Sequence, residues 1–371
     1  MYKAFGIVNS SGRNIYVDGL QDYRPIGAFS FLGRYRVIDF PISNMSNSNI
    51  DRIQVYVNSK PRSVVEHLGT GRHYNINSKS GKLQLLFSEH NSEGDIYNTD
   101  IAGYMDNMEY INRMAHPYVV IAPSYMIYSI DFDQFINTHM ESGADITLLY
   151  HAVDNAKEAF LTCDTLKLNN QKGIEGIAPN HGSEMNQNIY MDTCIMKREL
   201  FIELVKEAKT LSSMYTLTDI INDKCATMDV RGVAHEGFFA SITDFPSYYA
   251  ANMDLLDYKA AQELFHEDWP IYTRTNDSCP TQYFDTAEVK NSVISNGCQI
   301  EGTVENSVIG RGCVIKKGAV VKNSVILAEV TIGEDVHVEN VVADRYAKLT
   351  RKKEIVAPAD HPGYIKREDT L

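Results

Sequence analysis

The stretch at residues 291–326 reads NSVISNGCQIEGTVENSVIGRGCVIKKGAVVKNSVI, and it decides the fold of the last third of the chain. The tetrapeptide Asn-Ser-Val-Ile recurs in it at positions 291–294, 306–309 and 323–326. Within each of three runs, aliphatic residues repeat every six positions: Ile294, Ile300; Ile309, Ile315, Val321; Ile326, Ile332, Val338. A six-residue aliphatic period is typical of a parallel β-helix whose coils stack their apolar residues inside a prism. We therefore predict a hexapeptide-repeat β-helix domain with a C-terminal tail over residues 286–371.

The first two-thirds of the chain has a different pattern. Short apolar runs alternate with segments of helical periodicity, and residues 197–209 show that periodicity most clearly, with Phe201, Leu204 and Ala208 on one face. Such alternation predicts an α/β domain with a mostly parallel sheet, which we assign to residues 1–255.

Residues 256–285 join the two predicted domains. They contain the sole tryptophan, Trp269, followed by Pro270 and Pro280. We predict that a helix at residues 255–265 ends here and that an extended interdomain linker follows, because proline stops helices and favours extended backbone.

Composition excludes several classes of function. The formal net charge is −13, from 35 basic and 48 acidic side chains, which disfavours a nucleic-acid partner or an anionic membrane surface. The sequence has no apolar run of about 18 residues, and its start does not read as a signal peptide. The six cysteines include no Cys-x-x-Cys pair. Scattered single cysteines fit a reducing compartment, so we expect a cytoplasmic protein.

Three segments resemble motifs of one family. Residues 33–44 read GRYRVIDFPISN, residues 247–255 read SYYAANMDL and residues 271–274 read IYTR. They are similar to the G-[KR]-[YF]-R-x-I-D-F-x-L-S-N, S-Y-Y-x-A-N-M-D-L and interdomain I-Y-T-R stretches of bacterial glucose-1-phosphate adenylyltransferases (ADP-glucose pyrophosphorylases). The resemblance covers residues 1 to about 350. It implies a nucleotidyltransferase (Rossmann-like) first domain and a left-handed β-helix.

The nucleotide loop departs from this family. Active members carry A-G-G-x-G-x-R-L, whose glycines let backbone N–H groups approach the phosphates. Residues 7–14 here read IVNSSGRN, so only Gly12 and Arg13 remain as a residual nucleotide loop. Side chains on Asn9 and Ser10 obstruct that approach.

The metal-binding and sugar-phosphate positions depart as well. By resemblance, Tyr125 occupies the position of the first metal-binding Asp in S-G-D-H-I-Y-x-x-D, and Ser241 that of the second in W-x-D-V-G-T. Asp244 reaches the second position only through a local gap. Ala178 aligns with the sugar-phosphate Lys of E-x-K-P. Mg²⁺ prefers anionic oxygens, so we expect no catalytic residue, no metal site and no cofactor here, and Mg²⁺ only in an active partner.

Arg34 and Arg36 are the candidate ligand-binding residues. Two side chains spaced i, i+2 on a strand share a face and can clamp a phosphate. The resemblance places this segment in an effector region between the domains, so we expect a phosphorylated metabolite there. The alternative is a surface ion pair. Arg345 and the basic residues that follow the β-helix are expected to form a solvated tail.

The resemblance favours a non-catalytic regulatory subunit of D type in glycogen biosynthesis. Such a subunit would associate with an active glucose-1-phosphate adenylyltransferase subunit in a heterotetramer and form homo-oligomers when the partner is absent. The first alternative is a weakly active enzyme that makes ADP-glucose and diphosphate from ATP and glucose 1-phosphate. The second is a stand-alone sugar-phosphate or nucleotide sensor. A hexapeptide acyltransferase is disfavoured, because His337 is the lone histidine in the coils.

Overall fold

The computed structural model describes residues 3–10, 15–77, 79, 81–88 and 99–371. Its N-terminal part contains the strands β1 (Ala4–Asn9), β2 (Ser30–Phe31), β3 (Tyr35–Arg36), β4 (Arg52–Val57), β5 (Lys82–Phe87), β6 (Tyr118–Pro123), β7 (Met126–Tyr128), β8 (Ile146–Val153), β9 (Asp164–Leu168), β10 (Ile174–Pro179), β11 (Gln187–Lys197), β12 (Val230–His235) and β13 (Phe239–Ser241). The helices are α1 (Asp39–Asn47), α2 (Arg62–Leu68), α3 (Asp100–Asp106), α4 (Met108–Asn112), α5 (Phe132–Ser142), α6 (Arg198–Leu211), α7 (Leu217–Lys224), α8 (Phe245–Asp254) and α9 (Tyr258–Leu264).

The main sheet confirms the predicted α/β domain. Within the described residues it has nine strands. Seven of them follow the order β10-β9-β11-β6-β1-β4-β5, β8 also pairs with β11, and β12 pairs with β8. The β1–β6, β1–β4, β4–β5 and β8–β12 pairs are parallel, whereas β11 runs antiparallel to β6, β8 and β9. Apolar side chains pack against both faces of this sheet. The predicted face of α6 is buried at Phe201, Leu204 and Ala208.

The C-terminal part is a left-handed parallel β-helix, as predicted. Its strands are β14 (Gln282–Tyr283), β15 (Glu288–Lys290), β16 (Val293–Ile294), β17 (Gln299–Ile300), β18 (Thr303–Glu305), β19 (Val308–Ile309), β20 (Val314–Ile315), β21 (Val320–Lys322), β22 (Val325–Ile326), β23 (Thr331–Ile332), β24 (His337–Glu339), β25 (Val341–Ala343), β26 (Lys348–Leu349), β27 (Glu354–Val356) and β28 (Gly363–Ile365). Among the described residues they form three sheets of five parallel strands, and each coil contributes one strand to each sheet.

The repeated Asn-Ser-Val-Ile tetrapeptide builds one corner of the prism. Its asparagines adopt a left-handed backbone, with φ of 43° at Asn291, 46° at Asn306 and 43° at Asn323, a conformation that asparagine tolerates better than most residues. The serines stack between coils: the Ser307 backbone N–H donates to Ser292 Oγ at 3.1 Å, and the Ser324 N–H donates to Ser307 Oγ at 3.1 Å. The repeat therefore fixes both the turn and the register of the coils.

Helix α8, which carries the SYYAANMDL segment, holds the two parts together. The Tyr248 hydroxyl donates to the Ser30 carbonyl oxygen at 2.6 Å, and Asn252 Oδ1 accepts from the Leu32 N–H at 3.0 Å. On the other side, the Tyr249 hydroxyl donates to the carbonyl oxygen of Asn323 in the β-helix at 2.5 Å. These tyrosines and the asparagine thus have structural roles.

The predicted helix at residues 255–265 is shorter in the structure. Helix α8 ends at Asp254, and α9 begins only at Tyr258, because the Asp257 side chain accepts from the Lys259 N–H and caps a new helix. The assigned limits at residues 255 and 285 remain predictions. The described residues contain no helix that is long and apolar enough to cross a membrane.

Candidate functional site

The carboxyl ends of β1 and β6 form the first candidate site. In open α/β sheets, ligands bind beside such strand ends. Asn9 closes β1 opposite Pro123 of β6, and the Asn9 carbonyl oxygen accepts from the Ser124 N–H at 2.8 Å. Asn9 is buried, so it brings a polar side chain where the family's loop carries glycine. Gly12 and Arg13, the predicted residual loop, lie outside the described residues.

Tyr125 fills the space where the resemblance implies a metal-binding carboxylate. It follows β6, it is buried, and its hydroxyl donates a hydrogen bond to the Asp192 carboxylate. Burial and the nearby Asp192 charge hold the pKa of Tyr125 well above its ordinary value, so the ring stays neutral. The cavity that Tyr125 and Asp192 line, together with Asn9 and Asp100, has a volume of only about 20 Å³ among the described residues, which is room for a single water molecule at most.

Ser241 lies beside Tyr125, as the resemblance implies for the second metal position. It ends β13, where it pairs with Met126 of β7, and the next N–H, from Ile242, donates to the Tyr125 carbonyl oxygen at 2.9 Å. Its hydroxyl accepts from Cys163 Sγ at 3.4 Å and carries no charge. The structure thus brings the two degenerate positions together, and both are neutral.

Asp244 does not replace the missing carboxylate. Its side chain accepts from the Ser247 N–H at 2.7 Å and caps α8, while the Ser247 hydroxyl reaches back to the Asp244 N–H. This capping box uses the carboxylate to start a helix. The alternative alignment through a local gap therefore gains no support from the geometry.

Ala178 lies at some distance along the sheet. It sits on β10 opposite Thr165 of β9, and its side chain is exposed. The chain approaches Ser241 only just after β10 ends. There the Asn180 N–H donates to the carbonyl oxygen of Cys163, whose thiol contacts Ser241, at 2.9 Å. A methyl group at this position supplies no charge for a sugar phosphate.

Asp100 is a buried carboxyl group that the sequence reasoning assigned no role. Its oxygens accept from the Leu217 N–H, at 3.2 Å each, and from the Ile101 N–H at 2.8 Å. Burial, aided by the charges of Asp192 and Asp219, raises the pKa of Asp100 to about 7. The signal was the Thr99-Asp100 pair, which begins α3 with Thr99 as its cap.

A magnesium ion does not fit this site as it stands. The donors at the two family positions are a phenol and a hydroxyl, and neither is anionic at neutral pH. Across the part of the chain that the structure describes, no three His, Cys, Asp or Glu side chains cluster as metal ligands. The Asp192 carboxylate accepts a hydrogen bond from the Tyr125 hydroxyl, and the Asp100 carboxyl group accepts hydrogen bonds from backbone N–H groups.

The second candidate site is a cleft between the α/β domain and the β-helix. It is a cavity of about 340 Å³, and the structure brings both predicted arginines, Arg34 and Arg36, to its wall. Three further arginines line it: Arg274, Arg311 and Arg345. Arg345 was expected in a solvated tail that follows the β-helix, but the β-helix continues beyond it to β28, so Arg345 belongs to the prism. The β-helix corner turns Arg345 inward, whereas the basic residues at 351–353 are exposed.

Arg311 and Arg345 stand two coils apart on one corner of the prism. The Glu329 N–H donates to the Arg311 carbonyl oxygen at 2.8 Å, and the Tyr346 N–H donates to that of Ala328 at 3.3 Å. Neighbouring strands lie about 4.8 Å apart, so the two arginine backbones are separated by about 10 Å. Ala328 stands between them, and its small side chain leaves the space open.

Several buried polar atoms at the cleft have no hydrogen-bond partner among the described residues. They are Arg311 Nε, Arg345 Nε and Ser63 Oγ. Burial, followed by the neighbouring Arg34, lowers the pKa of Arg311, and burial followed by Arg24 lowers that of Arg345. Buried donors without acceptors are costly, so an anion with several oxygen atoms would satisfy them.

Arg36 is the most buried guanidinium of the cleft. Its Nη1 donates to the Ala28 carbonyl oxygen at 3.0 Å and to Ser30 Oγ at 2.5 Å. Burial, with the charges of Arg345 and Arg24, lowers its pKa to about 9. Part of Arg36 therefore supports the loop that precedes it, while Arg34 is exposed and free to approach a ligand.

His67 adds a titratable group to the cleft. Its Nε2 lies 2.6 Å from Asp39 Oδ1, and the Tyr74 hydroxyl donates to the same oxygen at 2.5 Å. Burial would raise the pKa of Asp39, but His67, Tyr74 and the Arg36 N–H together lower it. Asp39 is thus a structural carboxylate that orients His67 toward the cleft.

Comparisons with known proteins agree with both parts of the fold. The family model "Nucleotidyl transferase" matches residues 22–177, and "GlmU-like, C-terminal hexapeptide" matches residues 280–361. Glycogen biosynthesis protein GlgD of Geobacillus stearothermophilus is 30% identical over 325 residues, which cover 86% of this chain and 83% of the relative. GlgD of Bacillus subtilis is 27% identical over 98% of this chain and 95% of its own length. Glucose-1-phosphate adenylyltransferase of Fervidobacterium nodosum is 30% identical over 92% of this chain and 83% of its own length.

Proposed function

Because this chain belongs to the family that contains GlgD and the glucose-1-phosphate adenylyltransferases, we propose that it is a catalytically degenerate regulatory subunit of glycogen biosynthesis. It associates with an active paralogous subunit and modulates the synthesis of ADP-glucose. The observation that carries this proposal is the Tyr125 hydroxyl, which donates to Asp192 where the resemblance implies a metal-binding carboxylate. Nucleotidyl transfer depends on positioning and on neutralisation of phosphate charge, and this site supplies neither.

The purified chain should not synthesise ADP-glucose by itself. The assay follows ADP-glucose and diphosphate from ATP, glucose 1-phosphate and Mg²⁺, with an active adenylyltransferase as the positive control. We expect no product above background. A Mg²⁺-dependent turnover within about tenfold of the usual 1–10³ s⁻¹ would favour the weakly active enzyme instead. The double variant Tyr125→Asp, Ser241→Asp should stay inactive, because the loop glycines and the lysine are also absent.

The arginine cleft is the regulatory site in this proposal. Five arginines and the unpartnered Nε atoms of two of them support an anion with several oxygens, such as a phosphorylated metabolite. Inorganic phosphate and pyrophosphate serve as probes in calorimetry and thermal denaturation, since a ligand that binds the folded state raises its stability. Arg34→Ala, alone and with Arg36→Ala, should weaken pyrophosphate binding about tenfold or more, since a charge-assisted hydrogen bond contributes about 1.5–3 kcal/mol.

An exposed arginine outside the cleft provides a matched control. Arg351→Ala removes the same charge from the exposed residues beyond the cleft and should leave binding unchanged. If the Arg34 and Arg36 variants bind pyrophosphate as tightly as the parent chain and Arg351→Ala does too, the cleft is not the effector site. In that case the spacing of the two arginines reflects structure alone.

Association with an active subunit is the part of the proposal that defines its role. A subunit without chemistry alters an active one only by contacting its two conformations differently, typically with about 1–3 kcal/mol of coupling, or about 5–150-fold. Mixing the two purified subunits should give a heterotetramer by light scattering and change turnover or effector response. The absence of a mixed complex, with identical kinetics at every ratio, would leave the stand-alone sensor. No disulfide bond joins any of the six cysteines, all of which lie among the described residues, and this supports a reducing, cytoplasmic setting.

A further inference from the structure

Another cavity, of about 320 Å³, lies between α8 and the loop at residues 155–161; we name it the α8 pocket. Ser241, one of the two degenerate positions, belongs to its wall, whereas none of the residues that line the arginine cleft does. Pockets that hold small ligands have volumes of about 300–1,000 Å³ and combine apolar walls with a few polar groups. The α8 pocket is therefore large enough for one ring with a short substituent, and it is separate from the cleft.

The walls of the α8 pocket are largely apolar. Phe160 and Phe239 stack with their ring centroids 5.5 Å apart and their planes within 7° of parallel. Pro246 and Ala250 of α8 line the same cavity. Leu161 is 50% exposed although it also lines the pocket, so the pocket opens to solvent beside this residue. An aromatic wall of this kind accepts a flat apolar group, or a cation placed over a ring face.

The loop that supplies Phe160 is held in place from behind. Asn180 is buried, and its Nδ2 donates to the carbonyl oxygens of Ala156 at 2.8 Å and Phe160 at 3.0 Å. Phe160 has a left-handed backbone, with φ of 57°, which is unfavourable for a bulky residue and persists only where surrounding contacts impose it. The aromatic wall is thus formed before any ligand arrives, which lowers the entropic cost of binding.

The charges of the α8 pocket are opposite in sign to those of the arginine cleft. Its charged side chains are Glu158, Asp244 and Asp254, and among the described residues no Lys, Arg or His side chain lines it. Glu158 and Asp254 are exposed, so both remain accessible at the rim. A phosphate group would meet three like charges there, whereas a cation would meet three opposite ones. Charge complementarity therefore selects the class of ligand.

We propose that the α8 pocket binds a small organic cation, in which an amine or a guanidinium-like group is carried on an aromatic or short aliphatic body. The body contacts Phe160 and Phe239, and the cationic group lies near Glu158 and Asp254. Apolar contact, cation–π attraction to the rings and attraction to the carboxylates act together. This site does not depend on the proposed regulatory function.

Three planar probes of similar shape test the charge preference. At neutral pH benzamidine is a cation, benzamide is uncharged and benzoate is an anion. Calorimetry and ligand-observed NMR on the full-length chain should show that benzamidine binds about tenfold or more tighter than benzamide, because only the cation gains the attraction of the rings and the carboxylates. Benzoate should not bind, because the carboxylates repel it.

Substitutions in the full-length chain test the location. Ala250→Phe fills the pocket from the exposed side of α8 and should weaken benzamidine binding by about tenfold or more. Glu158→Gln combined with Asp254→Asn removes two charges and keeps the shape of both side chains. This double variant should weaken benzamidine binding about fivefold and leave that of benzamide unchanged. The matched control is Glu141→Gln, which removes a charge from an exposed position of α5 outside the pocket and should change neither affinity.

Several outcomes would overturn the proposal. They are no binding of benzamidine up to about 10 mM, equal affinities for the three probes, and a preference for benzoate. Benzamidine binding that persists in Ala250→Phe would place the ligand elsewhere, and so would an equal effect of Glu141→Gln and the double variant. If circular dichroism shows that Ala250→Phe does not fold, the charge variants decide. ADP-glucose synthesis and pyrophosphate binding enter none of these measurements, so failure of the proposed function would leave their results unchanged.

Discussion

Replacing Arg24 with Met should weaken the attachment of the β-helix to the α/β domain. Arg24 is buried, and its Nη2 lies 2.7 Å and 2.6 Å from the two carboxylate oxygens of Asp344, which is also buried. The residues are 320 positions apart, so this pair joins the two parts of the chain. Methionine keeps most of the aliphatic stem while it removes the charge.

The expected loss of stability depends on how the Asp344 carboxylate is satisfied after Arg24 is removed. Removing one partner of a buried ion pair costs about 3–5 kcal/mol. Asp344 keeps hydrogen bonds from the Tyr364 hydroxyl at 2.9 Å and from the Arg345 N–H at 2.6 Å. Arg24 Nη1 is buried and has no hydrogen-bond partner among the described residues. The substitution removes this unsatisfied donor together with the guanidinium, which offsets part of the destabilisation. The expected decrease in the free energy of unfolding is therefore about 2–4 kcal/mol.

Urea denaturation at pH 7 measures this change. Trp269 is the sole tryptophan, and its Nε1 donates to Asn44 Oδ1 of α1 at 3.0 Å, so its fluorescence reports on the contact between α1 and the segment after α9, while circular dichroism reports on the whole chain. Arg62→Met is the control: Arg62 pairs with Glu66 on the exposed face of α2 and should contribute less than about 0.5 kcal/mol. The second change Asp344→Asn removes the orphaned charge and should recover about 1–2 kcal/mol.

Two results would refute this reasoning. If Arg24→Met and Arg62→Met shift the midpoint equally, the buried pair contributes no more than a surface pair. If Asp344→Asn adds to the loss instead of reducing it, the orphaned carboxylate is not the cause. Non-coincident transitions of the two probes would show that unfolding is not two-state, and the comparison then applies to each transition separately.

Three further predictions concern single sites. Tyr125→Phe removes the donor to the half-buried Asp192 carboxylate and should lower the free energy of unfolding by about 1–3 kcal/mol in urea denaturation; an unchanged midpoint would contradict that hydrogen bond. Gly33→Ala should cost about 2–4 kcal/mol, because Gly33 has φ of 66° and a Cβ there would lie 2.4 Å from Ser295 Oγ, whereas the control Gly143→Ala, with φ of 69° and open space, should cost only about 1 kcal/mol; equal midpoints would refute the clash. For Asp100, burial raises the folded-state pKa to about 7, so the unfolded chain loses this proton first and the group destabilises the fold progressively as pH rises from about 4 to 7. Asp100→Asn should therefore gain stability relative to the parent by about 1.4 kcal/mol per pH unit between pH 5 and 7 and no more above it, and a pH-independent difference in urea denaturation would exclude the raised pKa.

Much of the fold was predictable because its signals are local and periodic. The six-residue repeat identified the β-helix without any long-range information, since each aliphatic residue reports only its own position in a coil. The helix at residues 255–265 was wrong at its start because Asp257 caps a new helix, a signal that the apolar pattern across 255–265 obscured. Propensity alone does not resolve two short helices that share one apolar face.

The candidate sites were predictable in part. The structure brings Tyr125 and Ser241 together, but Asp192, which accepts from Tyr125, lies 67 residues away in the sequence and no motif pointed to it. The cleft shows the same limit. Arg34 was visible as a motif residue, whereas Arg311 and Arg345 reach the cleft only because the coils stack in register. Contacts made by folding, between residues far apart in sequence, are those that one-dimensional patterns miss.

Arg311, Ala328 and Arg345 occupy the same corner of three successive coils of the prism. Because the coils have a fixed spacing, a charge on this corner can be moved along the prism axis only in whole steps of about 4.8 Å. Deleting residues 306–322 would join Glu305 to Asn323 and keep every asparagine and serine in phase, because the tetrapeptide recurs 17 positions later. Such a chain should still fold, but it would lose Arg311 with the deleted coil, and Arg345 would move by one coil relative to the α/β domain. Insertions and deletions that this domain tolerates should therefore comprise whole coils, and each added or removed coil changes which side chains line the anion cleft.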